Sequence, residues 1–287
     1  NFRKGEVNFY RAMQDRSPRG IATTVALTFM GERADKWPER KLDAMAGFFA
    51  HVAYTSTTEW KEEIVFFDLN GDEEGLAEGA IFPDGIPAKL DPTKQDPRSF
   101  FAAWLIRPEN PYFTRNITNR IWSWMMGRGI VHEPDDFRED NPPSNPELLQ
   151  FLQEEFHVHR NDIKHLFRVI LNTQTFQLAS IPAGDSRESR ANFAHYPLRR
   201  LEAEVLIDAL NEITGSSDLY TSAVPEPFTY IPKSMSAVAL ADGSITRSFL
   251  TLFGRSARAT GMENERVSEL ASPQWLHMLN SGQIQSK

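Results

Sequence analysis

The sequence predicts a mainly α fold: a multi-helical orthogonal bundle with long Pro- and Gly-rich loops and a few short strands. Three observations predict it. Apolar residues recur at near-helical spacing through most of the 287 residues. Several of these runs open on Asp-Pro or Asn-Pro, a capping residue followed by a proline that fits the first turn. Stretches rich in Pro, Gly and Ser separate the runs, as turns and loops require.

Taken in order, Val7 to Tyr54 reads as helices, with Phe9 and Met13, then Val25, Leu27 and Phe29, then Leu42, Met45, Phe48, Phe49 and Val52 as apolar positions. Pro38 fits the first turn of the last of these. Residues 59–68 carry Trp60, Ile64, Val65, Phe66 and Phe67 and read as a short strand. Residues 69–95 change character: Gly71, Gly75, Gly79, Pro83, Gly85, Pro87 and Pro92 punctuate an acidic stretch, the best candidate for a linker, with a short β piece near Ala80 to Phe82.

A second helical block starts at Asp96-Pro97 and leads into Phe100, Phe101, Trp104 and Leu105. Asn110-Pro111 repeats the signal before Phe113, Ile117, Ile121, Trp122, Trp124 and Met125, and Gly127 and Gly129 end that helix. After the turn at Pro142 to Pro146 come Leu148, Leu149, Leu152 and Phe156, and Asp162 caps Ile163, Leu166, Phe167, Ile170 and Leu171. An amphipathic helix is expected from Pro197 to Gly215, with Leu201, Val205, Leu206, Ala209, Leu210 and Ile213 inward. Final helices are expected at Arg247 to Phe253 and Pro273 to Asn280.

Composition bounds the function. Hydrophobic residues at 40% support a real core, and a net charge of −8 disfavours a general nucleic-acid binder, which needs a concentrated basic face. The local clusters Arg199–Arg200 and Arg247–Arg255–Arg258 read as ion-pair or helix-surface residues. With no cysteine, this segment has no disulfide, thiolate metal site, iron–sulfur cluster, cysteine nucleophile or covalent c-type haem. No apolar run approaches the ~20 residues of a membrane span. A start at Asn1 with no signal peptide reads as a processed or excised piece.

The run from Asn110 to Val131 is distinctive, and an ordered set follows it: Pro134-Asp-Asp-Phe-Arg138, Asn141-Pro-Pro-Ser-Asn-Pro-Glu-Leu-Leu149, Asp162-Ile-Lys-His-Leu-Phe-Arg168, Tyr196-Pro-Leu-Arg-Arg-Leu201, Phe253-Gly-Arg255, Glu265-Arg266 and Leu276-His-Met-Leu-Asn280. This set resembles the planctomycete-specific C-terminal domain, a domain of unknown function in large secreted proteins that often carry a cytochrome-c-type module upstream. Leu27-Thr-Phe-Met-Gly-Glu-Arg33, Asp35-Lys-Trp37 and Met45-Ala-Gly-Phe-Phe-Ala50 resemble the tail of the domain that precedes it there. The resemblance implies residues 1–68 as that tail, 69–95 as linker and 96–287 as the C-terminal domain, in an extracytoplasmic setting. Two departures stand out. The Cys-x-x-Cys-His motif expected between Arg33 and Asp35 is absent, and Met262 and Asn264 stand where related chains often have cysteines. Both argue against a redox or thiol–metal role for this chain.

The strongest polar grouping is Arg115, Asn116, Asn119 and Arg120 on one helix, with Asp135, Asp136, Arg138 and Asn141 in the loop that follows. Arg115 with Asn119, and Asn116 with Arg120, share helical faces. Beside Trp122 and Trp124, such a cluster offers directional guanidinium bonds and stacking faces to a sugar or carboxylate. The plainer reading is that the arginines and aspartates pair and lock the loop to the helix, since a buried arginine needs such a partner. His157, His159 and His165 do not share a helical face, so joint metal ligation is not expected and no metal or cofactor is assigned. His132 with Glu133, Asp135 and Asp136 reads as a solvated acidic loop before a hard-metal site. Asp68, Asn70 and Asp72 evoke a calcium loop, but glycine stands fourth and Gly79 twelfth, so an acidic turn is preferred. No Gly-x-Ser-x-Gly elbow, phosphate-binding Gly-Lys loop or Gly-x-Gly-x-x-Gly fingerprint occurs, and Glu62–Glu63 and Glu154–Glu155 diverge on a helix. The expectation is a binding or scaffold region of a larger secreted protein, engaging carbohydrate or other domains of its parent. The rival is a hydrolase-like or redox-linked module using Arg120, Asp135, Asp136 and Arg138 with a divalent cation.

Overall fold

The computed structural model describes residues 9–10, 13–58, 63–71, 75–91, 95–181, 187–222, 229–240, 245–256, 266–267 and 269–287. Helices dominate and strands are short, as the periodicity requires. The chain divides into two compact units, residues 13–198 and residues 1–12 with 199–287.

In the unit of residues 13–198, α1 (Pro18–Val25) starts where the Ser17 hydroxyl accepts from Gly20 N at 3.1 Å. It runs on into one wider π turn, Ala26–Met30, which Gly31 ends in the left-handed conformation. After α2 (Glu39–Ala46) and a 3₁₀ turn at Gly47–Phe49, the chain enters β1 (Val52–Ser56), which pairs antiparallel with β2 (Glu63–Phe67) in the register Val52↔Phe67 to Ser56↔Glu63. The helix expected to reach Val52 and Tyr54 is therefore a strand at its end. Val52 to Ser56 is rich in β-branched and aromatic residues, and the next strand needs a partner for its backbone groups, so pairing overrides the apparent helical spacing. Trp60 and Asp72 lie outside the described residues.

The stretch 75–91 packs into this unit. Ile81 N donates to Ala44 O at 3.1 Å, Ile81 and Pro87 form a β-bridge, and Phe82 is buried between Phe48 (4.7 Å between ring centres) and Trp104 (5.3 Å, stacked). Trp104 completes that aromatic cluster by donating from its indole N–H to Asp84 at 2.7 Å.

The remaining helices follow the capping signals. In α3 (Pro97–Leu105), α4 (Pro111–Met126), α5 (Pro146–Val158) and α6 (Ile163–Leu171) the side chains of Asp96, Asn110, Asn145 and Asp162 each accept from a first-turn amide. A short helix, α7 (Arg187–Ala191), comes next. The sixteen-residue α4 is central, with Thr118, Asn119, Ile121, Trp122 and Met126 all removed from solvent. It packs with α5 and α6 through Ile121, Trp122, Met126, Leu152, Phe156, Leu166 and Ile170.

The other unit is built on α8 (Ala203–Thr214), a two-residue antiparallel ladder of β3 (Thr221–Ser222) and β4 (Ile245–Thr246), and α9 (Ser248–Leu252), α10 (Ser272–Asn280) and α11 (Gly282–Gln285). Its core gathers Ala203, Ile207, Ala237, Ile245, Phe249, Leu250 and Phe253. The helix expected from Pro197 begins only at Ala203. Leu198 and Leu201 are exposed, so nothing would bury an extra turn, and Glu202 is drawn to Arg266 at 2.9 Å. Its inward face also differs from expectation: Val205 and Ile213 are exposed, while Ala203 and Ile207 are buried. Of the basic residues expected to pair, Arg255 meets Glu204 at 3.0 Å and Arg247 meets Asp218, while Arg200 donates to the carbonyls of Leu201 and Val267. Arg258, Met262 and Asn264 lie outside the described residues.

Candidate functional site

The polar side chains of α4 grip two segments. Arg115 pairs with Glu32 at 2.8 Å and lies 4.2 Å over the ring of Phe137. Asn116 donates from Nδ2 to Thr28 O, in the π turn, at 2.9 Å. Burial raises the Glu32 pKa above the ordinary carboxylate value, outweighing the opposing pull of Arg115.

Asn119 and Arg120 hold the loop after the helix. Asn119 donates to Val131 O (3.0 Å) and Pro134 O (3.3 Å) and accepts from Val131 N (3.0 Å), so one buried amide closes a ring around the loop's start. Arg120 donates from Nε to Asp135 Oδ1 at 3.1 Å and also from Nη2 to the same oxygen, with both side chains nearly buried. The loop passes so close that a Cβ at Gly129 would lie 2.2 Å from Val131 O, and one at Gly31 would lie 2.6 Å from the Phe137 ring. Phe137 N donates to Gly31 O at 2.9 Å. Farther along, Asp136 faces Arg138 at 3.0 Å, and Asn141 donates to His132 O and Asp136 O, both at 2.8 Å.

Of the residues singled out in the sequence, Arg120 thus meets Asp135 and Arg138 meets Asp136, while Arg115 and Asn116 turn to Glu32 and Thr28. Arg120 takes Asp135, not Asp136. Trp122 is fully buried, its ring edge-on to Phe193 at 5.2 Å, so neither face is open for stacking on a ligand. His132 is exposed, 3.7 Å from Glu133, while Asp135 and Asp136 are engaged by guanidinium groups.

The same loop forms one wall of an open cleft of about 500 Å³. Met126, Gly127, Arg128 and His132 line that side. Ser180, Arg190, Phe193, His195, Pro197 and Leu198 line the other. Two guanidinium and two imidazole groups therefore border the cleft. His195 Nδ1 is buried there with no hydrogen-bond partner among the described residues. Burial, then the charge of Arg128, lowers the His132 pKa, with Glu133 opposing. Sequence reasoning passed over Arg128 because Gly127-Arg-Gly129 reads as a helix stop. It also missed Arg190 and His195, more than 50 residues away along the chain, for which the sequence carries no local signal.

A family model described as PSD1, Protein of unknown function (DUF1553), matches residues 97–287. The chain belongs to this family. The PSD1 region begins at the first residue of α3 and contains the whole grip of α4 on its loop and every residue lining the cleft. Thr28, Gly31 and Glu32, which α4 and Phe137 bind, precede it. No curated protein and no solved structure matches the chain.

Proposed function

We propose that this PSD1 chain is a non-catalytic binding region of a larger extracytoplasmic protein, and that its cleft takes an acidic polysaccharide. The single observation that carries the reading is that four basic residues, Arg128, Arg190, His132 and His195, line one cleft in a chain of net charge −8. Guanidinium groups bind carboxylate and sulfate with directional, paired hydrogen bonds, and Pro197 and Leu198 offer apolar surface to a sugar ring. A neighbouring anion also favours protonated imidazole, so ligand binding takes up a proton at His132 and tightens as pH falls. The rival hydrolase-like reading needs Asp135 and Asp136 free to act, whereas each faces an arginine. The resemblance of residues 96–287 supports a parent protein of the planctomycete-specific, secreted type with a cytochrome-c-type module upstream, and the family match starting at residue 97 supports a boundary at 96.

Calorimetric titration with a uronate- or sulfate-bearing oligosaccharide and its neutral counterpart tests the proposal. The acidic ligand should bind, weaken when salt rises from about 50 to about 200 mM, and lose about tenfold or more in affinity in Arg128→Gln and Arg190→Gln. Equal binding of the neutral sugar, or no binding of either, would contradict it.

A further inference from the structure

At the corner between α5 and α6, three potential metal ligands converge that the sequence does not place on one face. Glu155 and His159 lie one turn apart at the end of α5. The chain then reverses through Arg160 and Asn161, both left-handed, and Asp162 caps α6, whose third residue is His165. This tight reversal sets the first turn of α6 beside the last turn of α5. His165 Nε2 is 3.0 Å from Glu155 Oε2, His159 Nδ1 is 3.4 Å from that same oxygen, and the two imidazoles stack with ring centres 3.6 Å apart. One donor atom from each of the three lies within 4.8 Å of the others.

We infer that Glu155, His159 and His165 form a site for a divalent ion of the zinc type. Two imidazole nitrogens and one carboxylate oxygen suit such an ion, and bonds of 2.0–2.1 Å around a tetrahedral centre set ligand atoms about 3.3–3.4 Å apart. The two separations from Glu155 Oε2 bracket that spacing, so small side-chain rotations complete the triad. Without an ion, His159 Nδ1 lies 2.9 Å from Glu155 O; ligation exchanges that contact for the metal and leaves the ring proton on Nε2. All three side chains are between a quarter and a half exposed, which gives an ion an entry path and leaves its fourth position to water. His157 is exposed and outside the triad. Bound zinc cross-links the ends of two helices joined by a reversal of four residues, 159–162.

Titrating the intact chain with zinc chloride by calorimetry, with cobalt(II) absorption as a second readout, tests the site. One equivalent should bind, cobalt should give the intense visible bands of tetrahedral coordination, and Glu155→Gln and His165→Gln should each weaken zinc binding about tenfold or more. His157→Ala should leave it unchanged. Helical circular dichroism of each variant without metal, and a zinc-dependent rise in unfolding midpoint that the variants lose, separate lost ligation from lost folding. No saturable binding up to about 1 mM zinc, or equal binding by the folded variants, would overturn the inference and leave a histidine–carboxylate contact that joins two helix ends.

Discussion

Arg120 and Asp135 are the residues on which most turns in the unit of residues 13–198. Both charges are nearly withdrawn from water, and Asn119 satisfies three backbone groups of the loop beside them. Removing one member of a buried ion pair leaves an uncompensated charge, at a cost of about 3–5 kcal/mol, whereas replacing both by apolar residues of similar volume is often nearly neutral. Asp135→Ala should therefore lower the unfolding free energy by about 3–5 kcal/mol in urea titration. Arg120→Met combined with Asp135→Leu should recover most of that loss. Asp136→Ala, whose partner Arg138 is well exposed, should cost about 1 kcal/mol or less. That arginine and aspartate would pair was legible in the sequence, because a buried guanidinium demands it. Which aspartate was not: Glu133, at a φ of 60°, turns the loop so that Asp135 faces α4 and Asp136 faces Arg138.

Among the elements, the helix starts were the most legible, because the side chains of Asp96, Asn110 and Asp162 meet amides only two or three residues away. Ends and strands depend on distant partners and were read less well. Val52 to Ser56 takes its form from β2, and α8 takes its start from residues more than 50 positions on. There Glu204, in the first turn of α8, meets Arg266 at 2.8 Å and Arg255 at 3.0 Å. Burial alone would raise the Glu204 pKa, but the hydrogen bond from Arg266, a backbone hydrogen bond and the charges of Arg266 and Arg255 together outweigh it and the net shift is downward. A carboxyl whose folded pKa lies below its unfolded value adds stability above about pH 4.5 and loses it as pH falls through the folded value. Acid unfolding followed at α8 should thus show a loss of stability below about pH 4.5 that is shallower in Glu204→Gln. An equal slope in the variant would remove Arg266 and Arg255 as anchors of the helix.

At the scale of the whole molecule, local charge and net charge differ in sign. The chain carries −8 overall, yet the cleft between the loop after α4 and the segment around α7 gathers Arg128, Arg190, His132 and His195. Composition could not reveal this, nor could it place His159 against His165, because both depend on how loops return to the helices. The cleft keeps its shape only while α4 holds its loop, since Arg128 and His132 sit on the segment that Asn119 and Arg120 fasten. Hydrogen exchange at the Val131 amide, which donates to the buried Asn119 Oδ1, reads that fastening directly. In the wild-type chain it should exchange as slowly as core amides such as that of Ile121. In Asn119→Ala it should speed up by about tenfold or more while Ile121 stays protected. A Val131 amide that exchanges like an open loop in the wild type, or is unaffected by the substitution, would contradict the account.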